Sequence, residues 1–220
     1  SRRAFYDWLA AGIKIPGILT GERDTAFDDE KLRSAGVRLN YPSVNRALQG
    51  VKTGILLELG FDDTAPNRAV TISSWTYDAA VARGVKVADN RAQQVPCYAP
   101  THTFVEKLQT ISTKYRRLGD AKEFPKNFLR HSYDVYCLLG LPEFLAFLGQ
   151  PAYEERKRQR QRFRGGDELK IAKNAAFRLE DLAQRQLFSE EYRKTSALYY
   201  LGQPPFEDLL ARIHERIMVM

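Results

Sequence analysis

The apolar positions change their period along the chain. Phe5, Leu9 and Ile13 recur at helical spacing, and Gly12 with Pro16-Gly17 closes that opening helix. The period then shortens. In the segment 32–41 (LRSAGVRLNY), Val37, Leu39 and Tyr41 alternate on one face, which predicts a strand stopped by Pro42. Residues 54–60 (GILLELG) form an apolar run between glycines, as a buried strand does. There Ile55, Leu57 and Leu59 share one face, and Leu56 and Glu58 the other. A loop follows over 61–67, a third strand over 69–75, a helical turn over 77–83 and a short strand over 95–98.

Beyond Pro100 the helical period takes over. Phe104, Leu108 and Ile111 predict a helix over 101–118 with a threonine cap. Further helices are expected over 126–139, ended by Gly140 and Pro142, and around Phe144, Leu145 and Leu148. A charged helix over 153–163 is broken by Gly165-Gly166. Asp167 opens a helix to about Leu187, Ser189 caps another to about Leu201, and Pro205 starts the last one. Strands first and helices after predict an α+β fold with a helical C-terminal subdomain. The boundary falls near 96–100, which gives domains of 1–97 and 98–220.

Composition narrows the class. The 220 residues are 44% hydrophobic and 28% charged, enough for a real core. No apolar run approaches the roughly 18 residues of a membrane span, so no membrane is expected. Two cysteines, Cys97 and Cys137, are too few for a disulfide scaffold and read as buried thiols of a cytoplasmic protein. The net charge of +7 favours polyanionic partners. It concentrates in the second half: residues 1–97 carry 13 basic and 11 acidic side chains, residues 98–220 carry 21 and 16.

Few residues stand out chemically. Glu58 is a carboxylate within an apolar strand, so it is exposed on an open sheet face, paired, or metal-bound. Lys107 shares the stripe of Phe104 and Ile111, where it snorkels, pairs or binds a phosphate. Arg130 and Asp134 are one helical turn apart, the spacing of a surface ion pair. Three histidines, His102, His131 and His214, make no zinc cage. GxxxxGK[ST], GxGxxG, HExxH and GxSxG are all absent. Residues 154–164 (EERKRQRQRFR) hold six basic side chains, either a solvated helix face or a polyanion contact.

In order, GILLEL at 54–59, CYAPTHTFVEKL at 97–108 and FLRHSYD at 128–134 resemble the AbiEii/AbiGii nucleotidyltransferase toxin family. The resemblance spans about residues 33–140. It implies part of a polymerase-β-like nucleotidyltransferase sheet followed by a helical domain. It also implies an enzyme of a toxin–antitoxin (abortive infection) system that transfers a nucleotide from a nucleoside triphosphate (NTP) to an RNA acceptor. Glu58 matches a metal-binding strand carboxylate, Lys107 the helix lysine near the triphosphate, and Asp134 a late aspartate that orients the site. Arg130 precedes that aspartate beside the nucleotide. Mg2+ and NTP are the implied cofactors, tRNA or another RNA and a cognate antitoxin the implied partners.

The family's glycine-serine loop and D-x-D strand are expected before Arg2, and Asp28-Asp29 does not replace them. The chain therefore reads as the C-terminal portion of such an enzyme, inactive alone. The 154–164 segment then becomes a candidate RNA contact. Two other readings stay open: a degenerate member that binds RNA or protein without catalysis, and a transferase acting on a small molecule.

Overall fold

The computed structural model describes residues 1–46, 52–120, 123–125, 127–160, 169–199 and 201–220. The fold is α+β with small antiparallel sheets. It divides into two compact units, residues 1–64 and 65–220, so the composition shift near 96–100 lies inside the second unit.

In the first unit, helix α1 (Arg2–Gly12) is capped by Ser1, whose Oγ accepts from the Ala4 amide at 3.4 Å. It lies on an antiparallel sheet of β1 (Thr20–Arg23), β2 (Ser34–Asn40) and β3 (Ile55–Gly60), in that spatial order. Ala10, Val37 and Leu39 form the core there, with Leu57 and Leu59 packed against them. The predicted face therefore holds for Leu57 and Leu59, whereas Ile55 is exposed at the strand end. Two glycines permit close approach. A Cβ on Gly21 would sit 2.6 Å from the Ala10 carbonyl oxygen, and one on Gly36 2.9 Å from that of Asp24. Buried Asp24 binds Arg38 at 2.8 Å and Lys52 at 3.1 Å, and these two cations hold its carboxyl below the usual range. Strand β1 was not predicted: its sequence, TGER, has no apolar residue to alternate.

The second unit begins with a hairpin of β4 (Asn67–Ile72) and β5 (Ala92–Tyr98), between which α2 (Trp75–Ala82) is capped by Ser74. Trp75 thus opens a helix rather than ending a strand. Helix α3 (Pro100–Arg116) follows, started by Pro100 and without a side-chain cap, so Thr101 does not cap it. Phe104, Val105, Leu108 and Ile111 are buried. Against α3 pack α4 (Arg130–Leu138), α5 (Pro142–Phe147), α6 (Pro151–Gln159) and α7 (Ala175–Arg178). Next comes α8 (Leu182–Arg193), then α9 (Phe206–Arg216), which buries Phe206, Leu209, Leu210 and Ile213.

Two predicted helix boundaries are corrected. The expected helix 167–187 is interrupted because Leu179 adopts a left-handed conformation with φ 42°. Asp181 then caps α8, accepting from the Gln184 amide at 2.7 Å, and Ser189 lies inside that helix instead of starting one. The expected break at Gly165-Gly166 lies outside the described residues. Both cysteines are unbridged, but Cys137 is exposed on α4, contrary to the expectation of a buried thiol. Among the described residues no helix is long and apolar enough to cross a membrane.

Candidate active site

The buried stripe of α3 sets the direction of Lys107. One turn after Phe104, it lies at the edge of the apolar face, and its stem runs out along that face. Its Nζ donates to Asp134 Oδ2 at 2.7 Å. Asp134 is held on α4, whose Ser132 and Val135 are buried. The pair is 28% and 35% exposed, so it is reachable from solvent. An ammonium carries three donors, and one is used here, which leaves two for a ligand. The anticipated Arg130–Asp134 pair does not form. Among the described residues the Arg130 guanidinium has no counter-ion, and it is exposed one turn before Asp134.

Further cations gather at the same place. Lys114 follows Lys107 by two turns on one face of α3. It is half-buried and has no acidic partner among the described residues. Burial, and then the nearby Arg130 and Lys107 charges, lower its pKa. His131 is pushed down to about 3, first by burial and then by Lys114, Lys107 and Arg130. Its ring is therefore neutral near pH 7, and its Nδ1 is buried without a hydrogen-bond partner among the described residues. Tyr199 borders the group: burial, and the neighbouring Asp134 carboxylate, raise its hydroxyl pKa. Its ring centre is 4.4 Å from that of Tyr133. Lys114 escaped the sequence reading, although its seven-residue spacing from Lys107 was a usable signal, and His131 entered it only as one of three histidines too few for a zinc cage.

Glu106, beside Lys107 in sequence, serves a different set of partners. Its Oε1 accepts from the Tyr98 hydroxyl at 2.8 Å, Arg156 Nη2 at 3.0 Å and Arg160 Nη1 at 3.2 Å. Arg156 also donates to the Tyr98 hydroxyl, and Arg160 Nε to Gln109 Oε1 at 3.1 Å. Burial and Glu106 push the Tyr98 hydroxyl up to about 12. This network ties β5, α3 and α6 together.

The same network revises the reading of segment 154–164. Lys157 is 2% exposed and donates to the carbonyl oxygens of Leu169 at 2.9 Å and Met220 at 2.6 Å. Arg158 is exposed and pairs with Glu155. All four basic residues described therefore bind groups of the protein itself, and neither a fully solvated face nor a six-cation contact is what forms. Residues 161–164 lie outside the described residues.

Glu58 belongs to the first unit, the other three predicted site residues to the second. It is exposed on β3, opposite Gly36 of β2, on the sheet face away from Leu57 and Leu59. It therefore lies on an open sheet face, reachable from solvent.

The profile of a family described as nucleotidyl transferase AbiEii toxin, type IV toxin–antitoxin system, matches residues 3–212. The chain belongs to the AbiEii family. No curated protein and no solved structure matches it significantly. Membership of a toxin–antitoxin family implies a cognate antitoxin. Magnesium is the metal that nucleotidyltransferase chemistry implies. Among the described residues of this AbiEii chain, no three His, Cys, Asp or Glu side chains are grouped to hold a cation. Asp134 is engaged by Lys107. The described side chains thus do not make a magnesium centre. What they do make is a cluster of cations, Lys107, Lys114 and Arg130, near enough to repel one another.

Proposed function

We propose that this AbiEii chain binds a nucleoside triphosphate whose nucleotide is transferred to an RNA acceptor, and that Lys107 and Arg130 hold the phosphates. The supporting observation is the charge balance at the α3–α4 contact. Lys107, Lys114 and Arg130 lie close enough to repel one another, only Lys107 pairs with Asp134, and the other two lack acidic partners among the described residues. Cations left in that state are stabilised by an arriving anion. Asp134 holds the Lys107 ammonium in place through one donor, so the other two are oriented before the ligand arrives. Arg130 offers a guanidinium fork from solvent. In this reading Asp134 acts on the nucleotide through Lys107.

Titration calorimetry of the 220-residue chain with each NTP tests the binding step. Binding should weaken about tenfold in Lys107→Gln and in Arg130→Gln, as loss of one charge-assisted contact does. Unchanged affinity in both variants overturns the site. Transfer is measured with the product of the full natural gene, α-labelled NTPs and tRNA. Loss of RNA labelling in Lys107→Gln supports the reading. Nucleotide binding without labelling of any RNA favours the non-catalytic alternative.

A further inference from the structure

The cations at the α3–α4 contact exceed what the sequence motif requires. Lys107 has Asp134, and Arg130 lies in water, where an unpaired charge costs little. Lys114 is different. It is half-buried, two helical turns beyond Lys107, and has no acidic partner among the described residues. Next to it a histidine ring nitrogen is buried without a partner among the described residues. A folded chain that keeps a cation partly desolvated against two other cations gives up stability in its ligand-free state. An anion that arrives later would offset that cost.

We propose that Lys114 is a third phosphate-binding cation of this site and makes it prefer a triphosphate chain to a shorter one. The proposal rests on the reading of Lys107 and Arg130 as phosphate ligands. The spacing supports it. Two turns of α3 separate the Cα atoms of Lys107 and Lys114 by about 10 Å, and flexible lysine stems let both ammonium groups converge on one extended anion. A single phosphate reaches the Lys107–Arg130 end, whereas a three-phosphate chain continues toward Lys114. His131, uncharged, can donate a ring N–H to the same anion without adding repulsion.

The test is calorimetry with sodium tripolyphosphate and sodium pyrophosphate, without divalent cations, on the native chain and on Lys114→Gln, Lys114→Arg and Lys107→Gln. The native chain should bind tripolyphosphate about tenfold more tightly than pyrophosphate, the increment of one further charge-assisted contact. Lys114→Gln should erase that preference and leave pyrophosphate affinity unchanged, and Lys114→Arg should restore it. Lys107→Gln should weaken both ligands. A preference that survives Lys114→Gln overturns the role of Lys114 and leaves the Lys107 site standing. Insensitivity to both lysine substitutions overturns the two readings together. Ligand-free Lys114→Gln should melt at the same or a higher temperature, because a repelled charge is removed. A lower melting temperature would make Lys114 a structural residue and sink the proposal.

Discussion

Glu106 and Lys107 each belong to a cluster of cations, yet the two clusters differ in what remains unpaired. Around Glu106, Arg156 and Arg160 share the carboxylate and find neutral acceptors as well, the Tyr98 hydroxyl and the Gln109 carbonyl. Around Asp134, Lys107 takes the carboxylate, and Lys114 and Arg130 find no acid among the described residues. The first group shares its carboxylate within the protein and acts as a clamp, although Arg156 Nε and Gln109 Nε2 stay buried without a partner among the described residues. The second is incomplete and acts as a receptor. Adjacent residues of one motif, Glu106 and Lys107, thus do opposite jobs: one closes the fold and the other leaves it open to a ligand.

The contrast is most exposed to failure at the clamp. Glu106→Ala leaves two largely buried guanidinium groups without their shared carboxylate and should cost about 2–3 kcal/mol. Urea unfolding measures this, and a loss no larger than a surface substitution gives would remove the distinction between the two groups. Next is a pH effect at the receptor. The native His131 pKa of about 3 is below that of the unfolded chain. The unfolded state therefore binds the extra proton, and stability falls as pH drops below about 6.5 toward 3. Between pH 7 and pH 5 the native chain should lose about 1–2 kcal/mol that His131→Gln does not lose. Equal pH slopes in unfolding experiments would contradict the buried, neutral ring.

Smaller effects sharpen the same comparison. Asp134→Asn removes a pair that is about a third exposed, so stability should change by less than about 1 kcal/mol. Tripolyphosphate binding should tighten, because the one competing anion is gone, while NTP transfer by the natural protein should fall as Lys107 loses its anchor. Weaker polyphosphate binding would show that Asp134 contributes more by orientation than it subtracts by charge. Arg158→Gln, at an exposed pair with Glu155, should shift the melting curve within about 0.5 kcal/mol and leave anion binding unchanged.

The elements that the sequence predicted well carry apolar stripes. Phe104, Leu108 and Ile111 marked α3, and Val37 with Leu39 marked β2, since burial of one face dictates period. Boundaries failed where a local capping choice decided between equivalents, as at Asp181 against Ser189. At the site, Lys107, Arg130 and Asp134 were reached through motif resemblance, and the α3–α4 contact brings Lys107 and Asp134 together across 27 positions. Lys114 and His131 were not legible, because their significance is the lack of nearby acid, and a sequence does not show what surrounds a side chain. The basic run of α6 misled for the converse reason: the acceptors of Arg156, Arg160 and Lys157 lie at Glu106, Gln109, Leu169 and Met220, far away along the chain.

The continuity of α3 gives this motif a rotational phase. Each residue of an α-helix turns the next by about 100°. One amino acid inserted between Thr103 and Glu106 would swing the clamp toward the ligand side and carry Lys107 past Asp134, although every side chain would still be present. A four-residue insertion, close to one full turn, would nearly restore the angle while displacing the pair by about 6 Å along the axis. Changes of length in α3 should therefore be far less tolerated than changes of identity on its solvent face. Natural variants of this helix are expected to differ by substitution, with length variation falling in the connections that flank it.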